Sequence, residues 1–338
     1  MVNPPTIKEI AKRLNISTST VSRALHNHTR INIQTRMRVQ QLARELEYEP
    51  NQKAIFFQQR RTFTIGVILP DLSEFYFSSA ISAIEDLSTQ HKYSVLIGQS
   101  FDSEVREKHI VEYVMNQRID GLIISIAKST VNFEHFELLK RYGIPVVFFD
   151  RIPDLADIHY VACNVETGTI QAMKFLLRNG HRVVGVLNGP DGLYSCRQRV
   201  AGYIKGLASH PLKFDPNLVV STDLTKEGTE KAMAELMGLK RKPTALLCFN
   251  DNVCLDAMQY ARRMKLKINK DVSFVSFANQ PMINHAAFPP IATIEQFPHL
   301  QAQKATEVLL DLLNKRAEPG GSLFKRIIVD SQLAIYKK

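Results

Sequence analysis

The 338-residue sequence has no tryptophan, only four cysteines and only fifteen glycines. It also has no apolar run approaching the ~18 residues that cross a bilayer. Cys163, Cys196, Cys248 and Cys254 are spaced by 33, 52 and 6 residues. Those spacings fit neither a CxxC metal pair nor a dense disulfide framework, so reduced thiols are expected. The start, MVNPPTIKEIAKRL, lacks the apolar segment of a secretory signal. A cytoplasmic protein without a membrane association is the expectation. There is no GxxxxGK phosphate loop, no GxSxG, no HExxH and no strand-linked GxGxxG. The ten histidines do not cluster at ligand spacing. No catalytic residue, no metal and no cofactor are therefore expected. With 45% hydrophobic and 22% charged residues, the chain is neither disordered nor fibrous, and its length suits two or three domains.

What is present is a basic excess, and its location matters. Residues 1–61 hold eleven Lys/Arg against four acids, a net +7 of the total +10, which leaves +3 for the other 277 residues. Such an asymmetry points to a polyanion, either nucleic acid or an anionic membrane surface.

The segment has helical periodicity. Thr6-Ile7-Lys8-Glu9 fits a capping box that starts a helix at Ile7, with the Glu9 carboxylate reaching back. Ile10, Ala11 and Leu14 form its apolar face, and Asn15 suits a tight turn. Ser17 then caps a second helix, Thr18 to His26, with Val21, Ala24 and Leu25 inward. A third runs from Ile33 to Glu47 and is ended by Pro50. Two short helices joined by a brief turn make a helix-turn-helix. Thr18, Ser19, Thr20, Ser22 and Arg23 are left outside, where hydroxyls reach phosphates or base edges and Arg bridges a guanine.

From Thr64 onward the pattern alternates. Strands are expected over Thr64–Leu69, Tyr93–Ile97, Gly121–Ser125, Pro145–Phe149, Val183–Leu187, Ala245–Phe249 and Val272–Phe277. Helices are expected over Ser78–Gln90, Glu104–Asn116, Thr167–Asn179, Arg199–Ala208, Lys226–Met237 and Cys254–Met264. Alternation over this length implies two parallel, doubly wound subdomains. In such sheets ligands sit beyond the carboxyl ends of the strands. Asp71 to Phe77, Ser125, Asp150-Arg151, residues 189–199, Asn250-Asp251 and Ala278-Asn279 occupy those ends. Carboxylate, amide, hydroxyl, guanidinium and aromatic groups are the set that binds polyols and sugars. Arg151, Arg197 and Arg199 admit an acidic or phosphorylated sugar, although Arg151 also has Asp150 beside it as an internal ion-pair partner.

TIKEIAKRLNISTSTVSRALHN is similar to the helix-turn-helix of the lactose-repressor (LacI-type) family of bacterial transcription regulators, with its pattern T-I-x-D-V-A-x-x-A-G-V-S-x-x-T-V-S-R-x-L-N. The resemblance implies that Thr18 and Ser19 read bases, that Arg23 makes a third base contact, and that Thr6, Ser17, Thr20 and Ser22 face phosphates or cap helices. YEPNQKAIFFQQRRTFTIGVI resembles the family's hinge, which forms a helix on DNA and inserts apolar residues in the minor groove. Asn51 and Ala54 match that hinge, and Phe57 replaces its usual Leu as the wedge. Packing of Ile55-Phe56-Phe57 on the body is the alternative. Farther on, IGVILPDLSEFYF, DGLIIS, PVVFFDR, SCRQRVAGY, LLCFNDNVCLDAM and DVSFVSFANQ keep the family's register. They imply an effector pocket of Tyr76, Ser125, Asp150, Arg199 and Asn250. Ala278 stands where many members carry Asp, and Asp223 where others carry an aromatic residue.

The implied organisation is an all-α helix-turn-helix head (1–49), a hinge helix (50–61) and an α/β body (62–338) of two Rossmann-like, periplasmic-binding-protein-like subdomains. The first subdomain is expected over 62–161 plus 292–323, and the second over 162–291 plus 324–338. The implied partners are pseudo-palindromic operator DNA, a sugar-like effector and a second copy of the chain, since one small head offers too few contacts for specific affinity. A solute-binding protein without a DNA role, and an enzyme on the same scaffold, are the alternatives. Replacing Arg23 by Ala is expected to weaken DNA binding by about 1–3 kcal/mol and to relax preference at one base pair. Binding to duplexes altered one position at a time checks this, and an unchanged base preference removes Arg23 from readout.

Overall fold

The computed structural model describes residues 5–48, 61–208, 210–314 and 323–336. The hinge residues Asn51, Ala54 and Phe57 lie outside the described residues. The chain divides into two compact units, Met1–Thr62 and Phe63–Lys338.

The first unit holds α1 (Ile7–Leu14), α2 (Thr18–Leu25) and α3 (Ile33–Glu45). Thr6 caps α1 by accepting the Glu9 N–H at 3.3 Å. The Glu9 carboxylate does not reach back as the capping box predicts. It takes the Arg13 guanidinium one turn on at 2.6 Å instead, an i,i+4 charge pair. Asn15 closes α1 in the left-handed region (φ 55°), as its place in the turn predicts. The helix α3 stops at Glu45, before Glu47 and well before Pro50. Glu47 itself turns left-handed (φ 50°) and the Tyr48 N–H returns to the Ala43 carbonyl at 2.8 Å, a Schellman-type stop. Ile10, Ala11, Val21, Ala24, Val39 and Ala43 form the mini-core.

The second unit contains two six-stranded sheets, each with its own core. The first lobe runs β1 (Thr64–Leu69), α4 (Phe75–Gln90), β2 (Ser94–Gln99), α5 (Glu104–Asn116), β3 (Gly121–Ile124), α6 (Glu134–Arg141), β4 (Val146–Phe149) and β5 (His159–Asn164). The second runs α7 (Val165–Arg178), β6 (Val184–Asn188), α8 (Tyr194–Ala208), β7 (Val219–Ser221), α9 (Lys226–Gly238), β8 (Ala245–Cys248), α10 (Asp251–Arg263) and β9 (Ser273–Phe277). The chain then completes both lobes in alternation. β10 (Ala292–Glu295) joins the second sheet, α11 (Pro298–Asn314) packs on the first, β11 (Arg326–Asp330) pairs with β5, and β12 (Gln332–Ile335) pairs with β10.

The strand orders are β11-β5-β4-β3-β1-β2 and β12-β10-β9-β8-β6-β7. All described pairings are parallel except β10 with β12. Two expected boundaries therefore shift. Residues 292–295 belong to the second sheet, where they pair with β9, and 326–330 to the first, where they pair with the remote β5. The first exit from the first lobe also falls at Asn164 rather than 161.

Ser331, 5% exposed, is the single residue between β11 and β12. Its hydroxyl donates to the Asn164 carbonyl at 2.8 Å, and Asn164 Nδ2 donates to Asp330 at 3.0 Å, so two of the crossings are tied together.

The helices α7 and α8 meet at Gly202, where a Cβ would lie 2.5 Å from the Glu166 carbonyl oxygen and 2.7 Å from Thr169 Cβ. Neither neighbour is the free end of a flexible chain. Gly202→Ala is expected to destabilise the body by about 1–3 kcal/mol. Denaturant melts check this, and an unchanged midpoint contradicts so close an approach.

Candidate functional site

Two sites emerge, one in each unit. In the head, Ser17 caps α2 through the Thr20 N–H at 3.1 Å, and its hydroxyl also meets the Ser19 and Thr20 hydroxyls at 2.8 Å each. Val21 and Ala24 are buried, Thr18, Ser19 and Arg23 are exposed, and Thr20 and Ser22 are half-buried. Among the described residues Arg23 has no acidic partner, so its charge is available outside. Thr6 is exposed at the start of α1. The 26–32 turn, which the sequence reading passed over, is braced by Gln40 Nε2 on Asn27 Oδ1 at 2.8 Å, and Asn32 caps α3.

In the body, the carboxyl ends of the two sheets face a narrow cleft lined by side chains of both lobes. Tyr76, Asp150, Arg199 and Asn250 line it, as the sequence implies. Ser125 does not. It is fully buried behind Asp150, donating to Asp150 Oδ2 at 3.3 Å and accepting the Arg151 N–H at 3.4 Å. Ser125 thus braces Asp150. Ser195, within the expected 189–199 segment, lines the cleft too, whereas the reading by strand ends missed Gln280 and Gln296. Loop and helix-start residues carry no strand-end signal.

The first-lobe wall is acidic. Tyr76 bonds Asp150, and Gln301 Nε2 donates to the Tyr76 hydroxyl oxygen at 2.9 Å. Burial raises Asp150 above the usual carboxylate range, against the pull of Arg151, Tyr76 and Ser125. Burial also raises Glu74, with Asp71 and Asp150 adding to the effect. Tyr76 is pushed well up by burial and by Asp150. Arg151 is matched by an ion pair with Asp102, and although burial opposes its charge, Asp102, Asp150 and Glu74 together hold its pKa above the ordinary value.

The second-lobe wall differs. Arg199, 1% exposed, donates to Asn188 Oδ1 at 3.1 Å and to the Phe249 carbonyl at 3.2 Å. Its guanidinium lies between the Phe249 and Phe277 rings, 4.6 and 4.5 Å from their centroids. Burying an ion costs several kcal/mol, and a desolvated cation–π contact returns about 2 kcal/mol or more of it. Desolvation correspondingly lowers its pKa. Asn250 caps α10 with its carbonyl oxygen on the Val253 N–H at 2.9 Å, which leaves its amide nitrogen for the cleft. Ala278 adopts φ +96°, rare for a residue with a side chain.

Two contacts join the lobes across the cleft mouth: Lys128 Nζ to the Asp223 carbonyl at 2.7 Å, and Arg197 to Asp154 at 2.8 Å. The Asp223 carboxylate is turned to the Thr225 N–H and hydroxyl at 2.9 and 2.6 Å, a loop brace. Burial pushes the Cys163 thiol up to about 12 and Cys196 upward as well, so neither is an active nucleophile. Among the described residues no group of three or more His, Cys, Asp or Glu is placed to hold a metal. No described helix is long and apolar enough to cross a membrane.

A basic helix-turn-helix in one chain with a two-lobed α/β body and a polar interlobe cleft defines a class, the ligand-responsive DNA-binding regulators of transcription. Residues 6–51 match the bacterial regulatory proteins of the lacI family, and residues 62–326 match the periplasmic binding proteins and sugar binding domain of the LacI family. The chain belongs to the LacI family. It is 31% identical over 317 residues to the HTH-type transcriptional repressor CytR of Escherichia coli (strain K12), covering 94% of this chain and 92% of CytR. It is 27% identical over 312 residues to the repressor PurR of Aliivibrio salmonicida, covering 92% and 93%. The structure of the lac repressor dimer bound to operator and the anti-inducer ONPF superposes with a TM-score of 0.80 at 25% identity over 98% of each chain. These relatives are transcription regulators rather than enzymes.

Asp251, the first residue of α10, is buried and held at about 6 by desolvation, against the Gln280 N–H (2.7 Å) and the Ser276 hydroxyl. Its folded value lies above the ordinary 3.8, so the stability it contributes is complete below that pH and is lost as pH rises through about 6. Across that window the wild type is expected to lose up to about 3 kcal/mol relative to Asp251→Asn. Denaturant titrations at several pH values check this, and parallel curves contradict it.

Proposed function

We propose that this chain is a cytoplasmic, homodimeric repressor of pseudo-palindromic operator DNA whose affinity is set by a sugar-like effector bound between the two lobes. Thr18, Ser19 and Arg23 read bases, while Thr6, Ser17, Thr20 and Ser22 cap helices or meet phosphates. Asn51, Ala54 and Phe57 act at the minor groove. Tyr76, Asp150, Arg199 and Asn250 hold the effector, with Ser125 bracing Asp150. The observation that carries this reading is the arrival of those four side chains, from both lobes, at one cleft.

The coupling follows from the crossings. Three segments link the lobes near residues 164, 296 and 331, so a ligand touching both walls changes their angle rather than their internal packing. A ligand that binds one angle better shifts the population, and DNA affinity follows by linkage. The exposed apolar residues Phe75, Ile97, Phe101 and Tyr113 on α4, β2, α5 and the adjoining loop offer the first lobe a surface for a second copy. The relative solved as a dimer on operator supports the same assembly.

A thermal-shift screen of sugars, sugar acids and sugar phosphates on the full chain tests the cleft, since a ligand of the native state raises the melting point. The stabilising ligand is expected to change affinity for the selected operator about fivefold or more, measured by fluorescence anisotropy. A ligand that stabilises the chain yet leaves DNA affinity unchanged makes the body a solute binder without a regulatory role.

A further inference from the structure

The two walls of the cleft treat their buried cations differently. Arg151 stands among Asp102, Asp150 and Glu74 and is paired. Arg199 is equally buried, yet its described partners are the neutral Asn188 side chain, the Phe249 carbonyl, the Cys196 thiol, itself held neutral by burial, and two phenyl rings, and its Nε makes no hydrogen bond. The nearby second-lobe acid, Asp251, is already committed, one oxygen to the Ser276 hydroxyl and the other to the Gln280 N–H. Ala278 lines the same cleft and offers a methyl group, in a strained left-handed backbone that Asp or Asn tolerates better. A buried cation beside a ligand cavity, with no acid of its own, is a site short of one negative charge.

We propose that the effector carries one ionised acidic group, a carboxylate or a phosphate, that lodges against Arg199, and that Ala278 sets this preference by leaving the counterion to the ligand. This rests on the reading of the cleft as the effector site. The polarity of the cleft orients the ligand. Its acid meets Arg199 and the Asn250 amide nitrogen, and its hydroxyls donate to Asp150 and Glu74. Those carboxylates repel a second anionic group at the other end. The class is therefore a polyhydroxy compound with a single terminal acid, such as a sugar acid or a sugar phosphate. A neutral sugar leaves Arg199 uncompensated, and a doubly acidic one meets the first-lobe acids.

The test uses the full chain as wild type, Ala278→Asp and Ala278→Asn. The Asp variant supplies a fixed carboxylate on the Arg199 wall, and the Asn variant controls for size and backbone. Each is melted alone and with glucose, glucuronate, glucose 6-phosphate, ribose and ribose 5-phosphate at one common concentration. Without any probe, Ala278→Asp is expected to melt about 2 °C or more above Ala278→Asn. Glucuronate or a sugar phosphate is expected to raise the melting point of the wild type and the Asn variant but not of the Asp variant. Which of the two acts separates carboxylate from phosphate. Equal melting of the unliganded Asp and Asn variants overturns the proposal, and does so without involving the effector reading. A neutral sugar that stabilises the wild type as well as its acidic partner also overturns it, and leaves the cleft standing as the effector site. If Ala278→Asp does not fold, Arg199→Met replaces it. Loss of the response to acidic probes supports the proposal, and a retained response overturns it.

Discussion

The body depends on a pairing between strands separated by more than 150 residues. β11 completes the first sheet against β5 through pairs such as Arg326 with Tyr160, and one residue later β12 enters the second sheet against β10. Neither strand persists alone, since a short edge strand gains stability only from its ladder. Ser331 between them has no slack, and it is bonded to the Asn164 carbonyl, where the chain first crosses between lobes. Even the opposing helix leaves room, for a Cβ on Gly168 would lie 2.5 Å from the Ser331 hydroxyl oxygen. The lobes are thus joined along one tight seam, and relative motion is confined to the angle about it. Because the ladders are parallel, the carboxyl ends of both sheets fall on the cleft, and every residue placed there answers to the same angle.

Electrostatics divides that cleft. Acids gather on the first-lobe wall, where Asp150 and Glu74 are raised by burial and Arg151 is matched. The opposite wall offers Arg199 between two rings, together with neutral amides. At the mouth, Lys128 and Arg197 reach across to the other lobe, so the closed angle has polar contacts of its own in addition to whatever a ligand adds. Exposed contacts of this kind contribute little each, about 0–1 kcal/mol, which suits a joint that has to open.

Much of this was legible in the residues. The helix caps Thr6 and Ser17 and the buried periodicity of Ile10, Val21 and Ala24 define the head, and four of five expected effector residues line the cleft. What escaped has common causes. Ser125 follows a strand end as Asp150 does, but its hydroxyl is taken up by the Asp150 carboxylate and the Arg151 N–H, which only the folded contacts show. Glu9 obeys the capping-box pattern, yet Arg13 competes for its carboxylate. The strands at 326–330 and 332–335 are placed by partners at 160–164 and 292–295, pairings that no local pattern shows.

The division of labour is written in the residues alone. The +7 of residues 1–61 and the helical spacing around Ser17 mark a DNA-binding head, and the strand–helix alternation beyond Thr64 marks a neutral two-lobed body, since charge and periodicity are local properties of the chain. Which strand ends share a surface, which arginine is paired and which is not, and where the last forty residues belong are set by the folded contacts. Those outcomes depend on contacts between residues far apart in sequence, where burial removes water and makes the presence or absence of one carboxylate decisive.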